Sequence, residues 1–307
     1  MPPYKLTDEI KKLKKEKDIL ILAHNYQLPE IQDIADYVGD SLGLAQKAVS
    51  IRNKSIVLCG VYFMAETAAI LNPNKDVFIP DENAGCPLAD FATSAMIKKW
   101  RAEYPDHAFV AYVNTSAEVK ALSDICCTSA NAERIVRSVK NKKIVFLPDK
   151  NLGDYVKRRV PEKEVVLWPG FCVVHENADF ESVLKAKEEN PKALVMVHPE
   201  CRIEIRDMAD GILSTGQMFE FVRRHPDIKS FIVITEWGII HALKKEFPEK
   251  DFIEPSKRME CKNMKRITLD KLLLCIREGK SKVTVEESIA IKARLAIEKM
   301  LDESIKN

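Results

Sequence analysis

Ile19-Leu-Ile-Leu-Ala-His24-Asn25 is an apolar, β-branched run that stops at a polar pair. The chain repeats the pattern as Ala108-Phe-Val-Ala-Tyr112-Val-Asn114 and as Ala193-Leu-Val-Met-Val-His198-Pro-Glu200. Short apolar runs of this kind, bounded by polar residues, read as buried strands. His24, Tyr112 and His198 stand 88 and 86 residues apart. A second set keeps that spacing: Asp36-Tyr-Val-Gly-Asp-Ser41, Asp124-Ile-Cys-Cys-Thr-Ser129 and Asp210-Gly-Ile-Leu-Ser-Thr215. A third strand follows in each unit (Ile56 to Cys59, Ile144 to Pro148, Phe231 to Thr235), then a fourth (Val77 to Pro80, Val165 to Pro169, Phe252 to Pro255). A fixed period of this length signals a structural repeat.

Between these runs lie segments of helical period, among them Ile31 to Val38, Leu42 to Val49, Ala132 to Val139 and Met218 to Arg224. Strands alternating with helices imply βαβ units, a parallel sheet and right-handed crossovers. The expected fold is therefore α/β: three αβα sandwich domains related by a pseudo-threefold axis, each with a small four-stranded parallel sheet and the site at the shared axis. The units are expected at 1–103, 104–190 and 191–279, with an amphipathic C-terminal helix within 280–307 packing back on the first.

The fourth strands lead to Gly85-Cys86, Phe171-Cys172 and Glu260-Cys261, so three of the eight cysteines occupy one equivalent place. Three converging thiolates suit zinc or an iron–sulfur cluster. Structural zinc usually takes four protein ligands, whereas a cubane on three thiolates keeps one iron open as a Lewis acid. Cys59 in a strand and Cys275 on an apolar helix face read as buried core thiols. Cys126, Cys127 and Cys201 break the threefold equivalence, and their place stays open. There is no CxxC pair.

Ligands of open parallel sheets sit beyond the carboxyl ends of the strands. His24, Tyr26, Tyr112, Asn114, His198 and Glu200 lie at such ends, where together they supply proton donors and acceptors. Ser41, Ser129 and Thr215 each precede a helical segment and are expected to be N-caps, with three helix N-termini facing a polyanionic ligand. His175, three residues past Cys172, reads equally as support for the metal centre or as a helix-start residue.

The chain carries 48 Lys plus Arg against 46 Asp plus Glu, interspersed and near neutral. That balance argues against a nucleic-acid or membrane surface as main partner. The Lys/Glu-rich start, Met1 to Asp18, and the short apolar run after it lack a signal h-region, so a cytoplasmic protein is expected.

These blocks resemble the quinolinate synthase family over nearly the full length. The resemblance rests on His24-Asn-Tyr-Gln27, Gly39-Asp-Ser-Leu42, Cys59-Gly-Val-Tyr-Phe-Met-Ala-Glu-Thr67, Pro80-Asp-Glu-Asn-Ala-Gly-Cys86, Cys127-Thr-Ser-Ala-Asn-Ala132, Pro148-Asp-Lys-Asn-Leu-Gly153, Trp168-Pro-Gly-Phe-Cys172, His198-Pro-Glu-Cys201, Thr235-Glu236 and Cys261-Lys-Asn-Met-Lys265. It implies a [4Fe-4S] cluster on Cys86, Cys172 and Cys261. It also implies a condensation of iminosuccinate (iminoaspartate) with dihydroxyacetone phosphate to quinolinate, a step of NAD biosynthesis, coupled to an enzyme that makes iminosuccinate from aspartate. By the same resemblance substrate contacts fall to His24, Ser41, Tyr112, Val113, Asn114, Ser129, His198, Pro199, Glu200 and Thr215. Proton transfer falls to Tyr26 and Glu200, with His24 and His198 as catalytic candidates beside them. Two other readings compete: another cluster-dependent hydro-lyase, and a non-enzymatic redox sensor using Cys126-Cys127.

Overall fold

The computed structural model describes residues 3–256 and 259–305. Met1 and Asn307, the outer bounds of the expected first unit and C-terminal helix, lie outside the described residues. Twelve strands form three four-stranded sheets. The first holds β1 (Ile19–His24), β2 (Tyr37–Gly39), β3 (Ser55–Cys59) and β4 (Asp76–Phe78). The second holds β5 (Ala108–Tyr112), β6 (Ile125–Cys127), β7 (Lys143–Leu147) and β8 (Glu164–Leu167). The third holds β9 (Leu194–Val197), β10 (Gly211–Ile212), β11 (Ser230–Ile234) and β12 (Asp251–Ile253). Each sheet runs second, first, third, fourth strand, and every pairing is parallel. Among the described residues no helix is long and apolar enough to cross a membrane.

The repeat extends to single hydrogen bonds. Asp36, Asp124 and Asp210 each accept the backbone N–H of Ile21, Phe109 and Val195, at 2.8, 2.7 and 2.8 Å. These carboxylates satisfy a donor that the second strand of each sheet starts too late to pair. Lys75, Lys163 and Lys250 likewise donate to the carbonyls of Ile51, Val139 and Pro226 at the same place in each unit.

Period-two alternation divides the core. In β1, Ile19, Ile21 and Ala23 face an outer core, as do Phe109 and Ala111 in β5 and Val195 and Val197 in β9. Leu22, Val110 and Met196 face the opposite way, into one central core shared by all three sheets. Parallel sheets are covered on both faces, so neither layer is dispensable.

The outer covers correct the expected boundaries. The helix Ser94–Glu103 packs through Ile97 onto the second sheet, and the helix Phe180–Glu189 packs through Val183 and Ala186 onto the third. The helix Leu269–Glu278 covers the first sheet through Leu272, Leu273 and Ile276, beside the N-terminal helix Pro3–Glu16. Each of these helices starts eight residues after a repeat cysteine. Each unit thus hands a helix to the next, and the third closes the ring on the first. With units cut at 103, 190 and 279, each such helix belongs to one unit and covers the next sheet, because amphipathicity shows that a helix has a buried face but not which sheet buries it.

The C-terminal helix Glu287–Ile305 also differs from expectation. It bridges the first and second units, touching the helix Tyr62–Leu71 of the first and the helix Ala117–Ala121 and β6 of the second. Arg294 donates to the Ile70 carbonyl at 2.8 Å, and Asn131 donates to Ser304 Oγ at 2.8 Å. The segment Ile31 to Val38 is helical only over Pro29–Ile34; its end enters β2.

Candidate active site

The carboxyl ends of the three sheets open on one cavity. It is lined by His24, Tyr26 and Ser41 from the first unit, Tyr112, Asn114 and Ser129 from the second, and His198, Glu200 and Thr215 from the third. Cys86, Cys172 and Cys261 line the same cavity. Val113 and Pro199, expected among the contacts, do not line it. Side chains alternate beyond the strand ends as they do within them. Hence Tyr112 and Asn114 face inward while Val113 turns away, and His198 and Glu200 face inward while Pro199 turns away. Asn25 follows the same rule between His24 and Tyr26; it donates instead to Thr215 Oγ1 at 3.1 Å, tying the first unit to the third.

The expected N-caps are corrected. Asp40 and Ser214 cap the two ten-residue helices, accepting from Gly43 N–H at 2.8 Å and Gln217 N–H at 3.3 Å. The helix after Ser129 begins only at Ala132, with Asn131 in the cap position. Because the preceding residue caps, the Ser41 and Thr215 hydroxyls are released toward the cavity. Asp40 lines the cavity too, and Gly216 has no side chain because a Cβ there would lie 2.7 Å from Asp40 Oδ2.

His24 and His198 share one local device. The backbone N–H two residues on donates to Nδ1, from Tyr26 at 3.1 Å and from Glu200 at 3.3 Å. Nδ1 is thereby the acceptor, so each neutral ring carries its proton on Nε2. Burial lowers both rings to a pKa of about 3, joined for His24 by the positive charge of Lys265 and for His198 by the adjoining His175 ring. Both are neutral N–H donors near pH 7.

Glu200 is 2% exposed yet ionised. Burial pushes its carboxyl up, but His175 and His198, together with hydrogen bonds from His175 and the Tyr112 hydroxyl, outweigh burial and hold it well below the usual carboxylate range. The His175 Nδ1 lies 2.8 Å from Glu200 Oε2 and 3.2 Å from Cys172 Sγ, and its Nε2 lies 2.9 Å from Thr235 Oγ1. The His198 ring stacks on it at 4.4 Å. His175 therefore belongs to the site. Tyr26 OH meets Thr235 Oγ1 at 2.5 Å, and burial pushes the phenols of Tyr26 and Tyr112 well above their usual range. Both are proton donors at neutral pH.

Two carboxylates escaped the sequence reading although they stand in quoted blocks. Asp149 accepts from Cys172 N–H at 3.0 Å and from Leu152 N–H at 2.7 Å. Glu236 accepts from Cys261 N–H at 3.1 Å and pairs with Lys265 at 2.9 Å, and Lys265 also donates to the Tyr26 carbonyl at 2.5 Å. Their equivalence, at the residue or two after the third strand, was a usable signal.

The cysteines separate cleanly. The repeat trio is partly open to the cavity, while the other five are buried away from it. Cys59 and Cys275 sit together in the outer core of the first unit, as expected. Cys201 lies in the outer core of the third unit, and Cys126 and Cys127 lie in the central core. Burial raises the thiols of the trio, Cys86 to about 12. Thiols so buried ionise only against a cationic centre, which suits them as metal ligands rather than free nucleophiles.

Comparison with known proteins agrees with this arrangement. The family model described as Quinolinate synthetase A protein matches residues 8–302. The quinolinate synthase of Thermodesulfovibrio yellowstonii is 50% identical over 294 residues, covering 96% of this chain and 97% of that protein. Those of Clostridium perfringens and Dehalococcoides mccartyi are 48% and 50% identical over 295 and 296 residues, each covering 96% of this chain and 98% and 97% of theirs. The three sheets, their common cavity and the three cysteines at its wall therefore sit in a chain that belongs to the quinolinate synthase family.

Proposed function

We propose that this chain condenses iminosuccinate with dihydroxyacetone phosphate to give quinolinate, phosphate and water, for NAD biosynthesis, with a [4Fe-4S] cluster on Cys86, Cys172 and Cys261. The observation that carries the reading is the convergence of these thiols, one per unit, on a cavity also lined by histidine, tyrosine, serine and threonine donors and by the carboxylates of Asp40, Glu200 and Glu236. The donor set fits the group: among the described residues, the His, Cys, Asp and Glu ligand atoms that lie within 4.8 Å of one another belong to Cys172, His175 and Glu200. The three cysteines are not such a group, and a wider span suits a cluster better than one ion. When bound, the cluster supplies a Lewis acid for dehydration through its iron without a protein thiolate.

The remaining roles follow from protonation states. His24 and His198 present Nε2–H groups, and Ser41, Ser129 and Thr215 present hydroxyls, to the carboxylates and phosphate of the substrates. Two first-turn helix ends, at Ser41 and Thr215, add unpaired N–H groups and a favourable dipole. Glu200, the ionised carboxylate, accepts a proton from the carbon or nitrogen acid; Tyr26, held as a phenol, returns one to a leaving oxygen.

The redox-sensor reading loses its support because Cys126 and Cys127 are fully buried in the central core. The hydro-lyase reading is separated by product analysis. The test is anaerobic incubation of the cluster-loaded protein with dihydroxyacetone phosphate and iminosuccinate made in place from aspartate, followed by chromatography. Quinolinate in proportion to loaded cluster is expected, and none from a fully loaded chain rejects the reading.

A further inference from the structure

The pseudo-threefold symmetry fails at one informative place. Three residues after each repeat cysteine stand Ala89, His175 and Met264, so only the second unit follows its thiol with another metal-binding side chain, on the short helix Val173–Glu176. Glu200 then approaches from the third unit. Cys172 Sγ, a His175 ring nitrogen and a Glu200 oxygen all lie within 4.8 Å of one another. His175 Nδ1 is 3.2 Å from the sulfur and 2.8 Å from the carboxylate oxygen. In a tetrahedral zinc site with bonds of about 2.0–2.3 Å, neighbouring ligand atoms stand roughly 3.3–3.5 Å apart. His175 Nδ1 stands within about half an ångström of that spacing from both of its neighbours, and the sulfur and the carboxylate oxygen are within 4.8 Å of each other.

We propose that Cys172, His175 and Glu200 form a mononuclear site for a divalent transition metal of the zinc type, distinct from the three-cysteine centre but sharing Cys172 with it. Thiolate, imidazole and carboxylate are a ligand set that zinc and cobalt take readily. The ring is already oriented: Nε2 meets Thr235 Oγ1 at 2.9 Å, the kind of outer contact that points a ligating histidine, and the stacked His198 ring fixes its plane. Binding displaces the thiol proton of Cys172 and any proton on Nδ1 to solvent, and the fourth position faces the cavity for water. Such an ion removes Cys172 from cluster assembly and occupies Glu200. This competition, though not the site itself, rests on the three-cysteine reading of the proposed function.

The test uses the full chain, made metal-free anaerobically and titrated with Co2+ or Zn2+. One Co2+ per chain is expected, with near-ultraviolet thiolate charge transfer and intense tetrahedral d–d bands. Cys86→Ser and Cys261→Ser should bind it unchanged. His175→Ala and Glu200→Gln should weaken it by more than the roughly 10–100-fold that loss of a supporting contact costs. Equal loss in Cys86→Ser, or none in His175→Ala, overturns the site. X-ray absorption on the zinc-loaded parent needs no variant: one sulfur among nitrogen and oxygen neighbours supports the assignment, and a three-sulfur shell refutes it. Preloading with one Zn2+ should slow cluster reconstitution at least tenfold. Unchanged reconstitution at retained zinc refutes the competition, whereas a zinc-free chain that never assembles a cluster refutes the three-cysteine reading and leaves the mononuclear site standing.

Discussion

The Cys86 loop and the Cys172 loop occupy equivalent places and are held by different means. Cys172 hangs from Asp149, a fully buried carboxylate that takes its backbone N–H, and Cys261 hangs from Glu236 in the same way. The first unit has the apolar Val61 at that position. Its loop is set instead by a backbone bond from Tyr62 N–H to the Ala84 carbonyl at 2.7 Å, and by Asp81, which takes Asn83 N–H at 2.8 Å. The loop of the second unit carries a further constraint at Gly170, where a Cβ would lie 2.5 Å from the Pro148 carbonyl oxygen. Equivalent position thus preserves the ligand while each unit solves the anchoring separately. The anchoring carboxylates bring a charge burden into the wall: burial and the nearby Glu200 push Asp149 well up, and burial pushes Glu236 up against the pull of Lys265.

The largest expected effect tests what the loops share. Cys86→Ser, Cys172→Ser and Cys261→Ser should each abolish cluster and activity, whereas Cys59→Ala and Cys275→Ala should keep iron and sulfide content at the parent level. A full cluster after loss of any one of the trio breaks the equivalence.

Next in size is the chemistry at the strand ends of the third and first units. Glu200→Gln and Tyr26→Phe keep the cavity's shape and should lower turnover by roughly 10²–10⁴-fold with substrate affinity little changed. Parent turnover in Glu200→Gln contradicts the assigned base. By contrast, Ser41→Ala and Thr215→Ala should weaken substrate binding and leave the cluster in place.

A pH experiment separates the units in another way, because the strand-end residue is His24 in the first, His198 in the third and Tyr112 in the second. A histidine lowered to about 3 when folded, against 6.5 unfolded, binds fewer protons in the native state below pH 6.5. Its stabilisation is complete above 6.5 and is lost as pH falls from there toward 3. The slope is about 1.4 kcal/mol per pH unit for each ring, so the two together should give about 2.8. Thermal melting of the metal-free chain should show this acid limb, and His24→Gln with His198→Gln should flatten it. An unchanged limb excludes the neutral rings as its source.

The smallest effect belongs to the anchors. Asp149→Asn and Glu236→Gln each disturb the hydrogen bond that holds a cysteine's backbone N–H, at a cost of about 0.5–1.5 kcal/mol. They should speed loss of cluster to chelator, which iron release followed by absorbance would measure. Val61→Ala, lacking any such bond to remove, should leave that rate close to the parent's.

Much of the site was legible because period-two alternation and an 86–89-residue repeat survive in the sequence. His24, Tyr26, Tyr112, Asn114, His198, Glu200 and the three cysteines meet at one cavity as the strand ends require. Val113 and Pro199 stand between cavity-facing residues, with their side chains turned away from the cavity. Asp149 and Glu236 were missed because they hold the cysteines through backbone N–H groups, which carry no letter in the sequence.

Periodicity and spacing alone determined the number of units, the sheet type and the strand ends that meet, since each depends on local pattern repeated along the chain. Tertiary structure decided which sheet each helix covers, where the C-terminal helix lies, and that Asp40 and Ser214 rather than Ser41 and Thr215 cap their helices. It also set the protonation of Glu200, His24 and His198. Except for the caps, which turn on the local backbone, these depend on neighbours brought from other units, whose burial and charge no local pattern records.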